Sequence, residues 1–345
     1  MASTTPFTIG FRMLPLPLAQ LSLATVLQCG QSFRWSVFPL ATDGVGAGPD
    51  VPSNEYRFCL QDRVVCLRQT PDAVWYRSVL PPSSLPLDED MQEAQTLAWI
   101  QDYFQLEVDL PKLYDEWSTR DPVFNSLRHR FSGIRILRQD PFECLLSFIC
   151  SSNNNIKRIT KMVRSLGTEY SPALLSLPPP EDAVEGLEVE NYHPFPAPSV
   201  LAAPEVATNL RRLGFGYRAD FIQKTAKMLV DSHGGPKDTL HRPEPAEEWL
   251  HTLRQMATEE ARAELVKLMG VGRKVADCVL LMSLDKREVV PVDTHVHDIA
   301  KKHYGLSGGK AKANMTPQLY DMVNSKLAGV WGAYAGWAHS VSRPA

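Results

Sequence analysis

The sequence predicts an α+β protein: an N-terminal antiparallel-sheet domain followed by all-helical domains carrying a helix–hairpin–helix motif. Three observations support this. The run EYRFCLQDRVVCLRQ (55–69) is dense in β-branched and aromatic residues, as strands require. From about residue 90 the apolar residues recur at helical spacing. Finally, TEEARAELVKL, MGVG and RKVADCVLLMSL follow one another as helix, glycine-bracketed turn and helix.

Taken in order, residues 1 to about 115 read as mixed, strand-rich structure, with ATDGVGAGPDVPSN (41–54) as a loop or hairpin connection. Helical patterns follow in MQEAQTLAWIQDYFQ, DPVFNSLRHRF and DPFECLLSFICSS. The last opens with Asp140-Pro141, a cap followed by proline at the first helical position. Residues 171–206 hold eight of the 27 prolines and read as a long surface loop, flexible and partly disordered. Helices resume in APEVATNLRRLGF, ADFIQKTAKMLVDSHGG, PAEEWLHTLRQM, TEEARAELVKLMG, RKVADCVLLMSL and DTHVHDIAKKHYG. The expected division is 1–131 for a mixed domain with a twisted antiparallel sheet. Residues 132–153 and 218–345 form a helical domain with the hairpin at about 258–284. Residues 154–217 form a second helical domain that includes the acidic loop 171–206.

At 345 residues the chain is long for one core, and 44% hydrophobic with 22% charged residues indicates a globular protein. No apolar run approaches the roughly 18–20 residues of a membrane span. The start has one basic residue, Arg12, and no apolar block before a cleavage site, so a secretory signal is not expected. Its lack of acids leaves organelle targeting open. None of the six cysteines forms a C-x-x-C pair, so buried free thiols in a reducing compartment are expected. No cysteine follows Cys278, so a C-terminal iron–sulfur cluster is not expected. The net charge of −3 is unusual for a nucleic-acid binder, but six acids lie in 171–206 and the remainder carries +3. Basic clusters remain in KRITKMVR (157–164) and RRLGFGYR (211–218).

The hairpin carries the chemistry. Thr258 is placed to cap the first helix, with Glu259 and Glu260 in its first turn. Gly270 and Gly272 let the turn take unusual backbone angles and let a partner come close, and the N–H groups that open the second helix suit a DNA phosphate. A plain corner between two helices would use the same glycines. Lys274, at the positive end of that helix beside Arg273, reads either as a phosphate grip or as an amine kept neutral for attack. Cys278 and Met282 follow on the same face, either as core or as an apolar lining for a flat base. Nineteen residues after the lysine, Asp293 reads as a helix cap or as a carboxylate that orients the amine or stabilises a cation. His295 is a structural histidine or a phosphate contact.

Six blocks carry a resemblance: CGQSFRW (29–35), RQDPFECLLSFICSSNNNIKRI (138–159), LGFGYRA (213–219), LMGVGRKVADC (268–278), LDKREVVPVDTHVH (284–297) and WGAYAGWA (331–338). Spread in order over nearly the whole chain, they resemble the eukaryotic 8-oxoguanine DNA glycosylase/AP lyases of the helix–hairpin–helix superfamily. The resemblance implies that Lys274 attacks the deoxyribose C1′ with Asp293 in support. It implies that Gly30 offers its carbonyl to the damaged base, in a pocket lined by Phe148 and Cys278, with Met282 beyond. Asn153, Arg158 and Arg218 would attend the orphaned cytosine, Tyr217 would wedge into the stack, and His295 with the hairpin amides of Gly270 and Gly272 would hold phosphates. The implied partner is double-stranded DNA containing oxidised guanine, bound by a monomer in the nucleus, or in the mitochondrion given the acid-free start. No metal, cofactor or membrane is implied.

One departure matters. His339 and Arg343 stand where the family has a glutamine reading the flipped base and a phenylalanine stacking on it. A histidine lacks the paired donor and acceptor of an amide, a buried arginine is costly, and a helix ending Ser-Arg-Pro-Ala should fray. Weakened base recognition is therefore expected, with lyase action on abasic DNA outlasting excision. Two other readings stay open: a glycosylase for another lesion, which GQSFRW and NNNIKR oppose, and a DNA-binding protein with an impaired pocket.

Overall fold

The computed structural model describes residues 10–41, 51–82, 88–236, 243–305 and 316–341. Strands β1 (Arg12–Pro15), β2 (Ser36–Pro39), β3 (Asn54–Cys59), β4 (Val64–Gln69) and β5 (Ala73–Val79) form one antiparallel sheet in the order β1-β5-β4-β3-β2. The run 55–69 is the β3–β4 hairpin, closed where Leu60 N–H donates to Arg63 O at 2.8 Å. Of the expected connection between β2 and β3, residues 42–50 lie outside the described residues.

Alternation along β3 and β4 gives the sheet two different faces. Tyr56, Phe58, Val65 and Leu67 pack with Ile100, Tyr103 and Phe104 at the end of helix Glu89–Tyr103. Glu55, Arg57 and Arg68 point the other way, and Glu55 is fully buried between Arg57 Nε at 2.6 Å and Arg68 Nε at 2.7 Å. This charged face is covered by the stretch 171–206.

That stretch corrects the sequence reading: it is an ordered clasp, not a flexible loop. It contains a small hairpin of β6 (Leu175–Leu177) and β7 (Glu190–Tyr192). Asp182 takes both Nη1 and Nη2 of Arg68 at 2.7 Å, Pro178 O accepts from Arg57 at 2.7 Å, and Ser36 Oγ donates to Glu190 at 2.5 Å. The prolines and acids look like disorder because their partners, arginines of the sheet, lie more than a hundred residues earlier.

The helical body is built around Pro141–Cys150, every residue of which is buried. Asp140 caps it as expected, accepting from Glu143 N–H at 2.9 Å. Helices Ile156–Tyr170, Arg218–His233, Pro245–Thr252 and Arg273–Ser283 pack around it. Arg135 ties the two parts together. Its buried guanidinium donates to the carbonyls of Gln20, Phe104, Gln105 and Val108, and burial lowers its pKa to about 10. Among the described residues no helix is long and apolar enough to cross a membrane.

Candidate active site

Lys274 is positioned by the hairpin. Helix Thr258–Val266, the turn through Gly270 and helix Arg273–Ser283 follow one another as the sequence predicts. One detail differs: Ala257 occupies the cap position, and Thr258 Oγ1 instead donates to Glu288 at 2.5 Å. Gly270 has φ +79°, and a Cβ there would lie 2.6 Å from Phe221 on helix Arg218–His233. Thr225 of the same helix donates to Met269 O at 2.7 Å. The turn is therefore seated on the helix that starts beside Tyr217. At Gly272 a Cβ would meet nothing within 4 Å, so the backbone there is open to close approach.

Lys274 turns inward instead. Its Nζ lies 3.2 Å from Ser151 Oγ and 5.1 Å from the centre of the Phe148 ring. The Ser151 hydroxyl donates to Phe148 O at 2.7 Å, which leaves its oxygen oriented to accept from the amine. Arg273 diverges: its guanidinium lies 4.7 Å over the Tyr320 ring and 2.5 Å from Asp321 Oδ1, where its charge is balanced.

Around the amine, Phe148 meets Phe33 edge-on at 6.0 Å. Cys278 follows one turn after Lys274 and is buried close to Cys144, whose thiol is pushed well above its usual range by burial and then by Cys278. Met282 comes one turn later, and its carbonyl accepts from Gln139 N–H at 2.8 Å. Gln139 Nε2 in turn donates to Gln31 O at 3.0 Å, while Gln31 bonds Arg135 O and Leu137 N–H, each at 3.0 Å. This lacing fixes the turn at Gly30, which has φ +85° and lies where a Cβ would be 3.1 Å from Ile156 Cδ1. His339 is buried in the last helix, Ala335–Val341. That helix lies so close to the preceding chain that a Cβ on Gly336 would be 2.3 Å from Val289 O.

Asp293 is the cap of helix Thr294–His303, its Oδ1 accepting from Val296 N–H at 3.0 Å. The cap reading is therefore observed. The side chain of His295 and all of Arg343, with the chain end expected to fray, lie outside the described residues.

A second group gathers beside the site. Tyr217 is 49% exposed, with its hydroxyl donating to Ser152 O at 3.1 Å. The Arg218 guanidinium stacks 4.6 Å over the Tyr217 ring, donates to the carbonyls of Ser152 and Asn153, and is itself buried. It braces the loop that presents Asn153, an exposed residue held at φ +48°. Arg158 is exposed at the start of helix Ile156–Tyr170 and donates to Gly214 O at 3.0 Å.

The chain that carries this arrangement has relatives of known kind. Residues 13–145 match the family described as 8-oxoguanine DNA glycosylase, N-terminal domain, and residues 146–324 match the HhH-GPD superfamily base excision DNA repair proteins. The chain belongs to the 8-oxoguanine DNA glycosylase/lyase family of that superfamily. N-glycosylase/DNA lyase OGG1 of Arabidopsis thaliana is 35% identical over 333 residues, covering 95% of this chain and 78% of its own. The N-glycosylase/DNA lyase of Saccharomyces cerevisiae is 35% identical over 353 residues, covering 96% and 85%. Clostridium acetobutylicum 8-oxoguanine glycosylase/lyase, solved with duplex DNA containing cytosine opposite 8-oxoG, aligns with a TM-score of 0.68 at 25% identity over 94% and 90% of the two chains. The protein is thus an N-glycosylase/DNA lyase of base excision repair.

Sequence reasoning missed several residues of this glycosylase/lyase. Ser151, the direct partner of Lys274, was signalled only as the end of the helix opened by Asp140-Pro141. Arg262, Asp277 and Tyr320, which join three elements under the site, gave no local signal. A cavity of about 380 Å³ lined by Arg34, Trp99, Glu143 and His251 lies at the opposite end of helix Pro141–Cys150, away from Phe148 and Ser151. Among the described residues no group of three or more His, Cys, Asp or Glu is placed to hold a metal ion.

Proposed function

We propose that this enzyme excises 8-oxoguanine paired with cytosine from duplex DNA, with Lys274 as nucleophile. The observation that carries the reading is the inward Lys274 amine, 3.2 Å from Ser151 Oγ and facing Phe148, beside a hairpin whose backbone is open at Gly272. A lysine serving only to grip phosphate would extend outward with the hairpin amides.

A base inside a duplex is out of reach, so the damaged nucleotide is flipped out and the gap filled by Tyr217. Asn153 and Arg158 read the orphaned cytosine, and Arg218 keeps their loop in place. The flipped base enters between Phe148, Cys278, Met282 and His339, against the Gly30 carbonyl. Oxidation converts N7 of guanine from an acceptor to an N–H donor, which the carbonyl accepts; normal guanine would face it with a lone pair. His295 and the amides of Gly270 and Gly272 hold the flanking phosphates.

Lys274 Nζ then forms a bond to C1′ as the glycosidic bond breaks and its electron pair leaves with the base. Asp293 stabilises the positive charge that builds on the sugar. The attacking nitrogen gives one proton to the expelled base, and O4′ takes one from solvent as the sugar ring opens to a protonated Schiff base, which acidifies the C2′ hydrogen. Loss of that proton expels the 3′ phosphate by β-elimination. The amine supplies the nucleophile, so no metal or organic cofactor enters the step.

Single-turnover cleavage on otherwise identical duplexes tests the substrate. With His339 lacking the paired donor and acceptor of an amide, the Gly30 carbonyl alone should favour 8-oxoguanine over guanine opposite cytosine by about 10- to 10²-fold, and an abasic duplex should be cleaved faster than either. Equal rates would refute the specificity assigned to Gly30.

A further inference from the structure

We infer that Tyr320 is a positioning residue that sets the Asp293 turn against the helix of Lys274; this rests on the role proposed for Asp293. The two residues belong to different elements, helix Arg273–Ser283 and the cap of Thr294–His303. A single run of buried hydrogen bonds joins them. Asp277, three residues after Lys274 and wholly buried, accepts from Arg262 Nε at 2.6 Å and from the Tyr320 hydroxyl at 2.5 Å. The Tyr320 oxygen accepts from Val292 N–H at 3.0 Å, and Val292 is the residue before Asp293.

The geometry assigns each member a task. Segment 290–292 belongs to no sheet or helix, and side chains supply partners for its buried backbone groups. Helix Pro317–Trp331 supplies two of them one turn apart: Tyr320 for Val292 N–H and Asn324 Nδ2 for Val290 O at 2.9 Å. Arg262 comes from the first hairpin helix and balances the charge of Asp277. The Tyr320 ring also carries the Arg273 guanidinium at 4.7 Å. One phenol thus touches both ends of the proposed machinery, the first turn of the lysine helix and the backbone leading into the carboxylate. A purely structural clamp would need only Arg262 and Asp277 between the hairpin helices; the reach to Val292 aims the network at Asp293. A fully satisfied buried network fixes one arrangement of its parts.

The test is Tyr320→Phe, which keeps the ring under Arg273 and removes only the hydroxyl, measured in the full chain with and without Asp293→Asn. Misplacing a reacting group by an ångström costs on the order of 10²-fold. Single-turnover cleavage by Tyr320→Phe should therefore fall about 10- to 100-fold, on both an 8-oxoguanine and an abasic duplex. Affinity for an uncleavable abasic-analogue duplex should stay within about threefold. In the Asp293→Asn background the same change should cost less than about threefold, because coupled residues are not additive. An undiminished rate, an equal loss in both backgrounds, or a loss confined to duplex affinity would overturn the inference. A wild-type chain that cleaves neither duplex would instead overturn the underlying reading of Asp293 and Lys274, and the inference with it.

Discussion

Replacing Gly270 with alanine probes the seat of the hairpin. Two costs follow from the structure. The residue has φ +79°, where a side chain costs about 1–2 kcal/mol relative to glycine. The new Cβ would lie 2.6 Å from Phe221 Cγ and 2.7 Å from its Cβ, atoms at the root of the side chain that cannot swing aside. Overpacking of that kind costs about 1–3 kcal/mol. The sum, about 2–5 kcal/mol, should appear as a lower urea midpoint with an unchanged slope. Repeating the change in a Phe221→Gly background, which removes the Cβ as well as the ring, should remove the steric part and leave only about 1–2 kcal/mol for the backbone. A loss below about 0.5 kcal/mol, or the same loss in both backgrounds, would refute the claim that the turn rests on Phe221.

Other expectations follow from the same geometry. Asp277→Ala leaves Arg262 without its buried partner and should destabilise the fold by about 3–5 kcal/mol in urea unfolding; a loss near zero would contradict the buried pair. Tyr217→Ala should change stability by less than about 1 kcal/mol, since half the side chain is exposed, while slowing excision from duplex but not cleavage of an abasic site. Burial pushes the thiols of Cys59 and Cys150 up to about 12 and that of Cys66 to about 11. These raised values mean that stability is intact below the unfolded thiol value near 9 and is lost as pH rises toward 11–12. The slope is up to about 1.4 kcal/mol per pH unit for each thiol, and a urea midpoint unchanged between pH 8 and 10.5 would contradict it.

How much was legible in the sequence depended on whether a feature is local. The β3–β4 hairpin, the Asp140-Pro141 start and the glycine hairpin each announce themselves within a dozen residues, because alternation, caps and positive φ are short-range demands. The resemblance carried Lys274 to the right helix, but not its partner Ser151, which lies 123 residues away in the chain. Asp293 was read both as cap and as catalytic carboxylate; the cap is seen, and chemistry at the second role takes an assay. The stretch 171–206 misled because acids and prolines have the composition of disorder, whereas Asp182 and Glu190 are ordered by Arg68 and Ser36 of a distant sheet. The resemblance set Arg218 at the orphaned cytosine, yet it is buried against the carbonyls of Ser152 and Asn153. Nothing in local periodicity could announce the Arg262, Asp277 and Tyr320 network, since its members come from three helices.

In the reaction proposed above, the Lys274 amine bonds covalently to the sugar of an 8-oxoguanine nucleotide. Borohydride reduction during reaction with an 8-oxoguanine:cytosine duplex tests it directly, beside Lys274→Gln and an abasic duplex. Wild-type protein should give a stable protein–DNA adduct on both duplexes, and Lys274→Gln should give none. An adduct that persists in Lys274→Gln, or wild-type protein that forms none on either duplex, would contradict it.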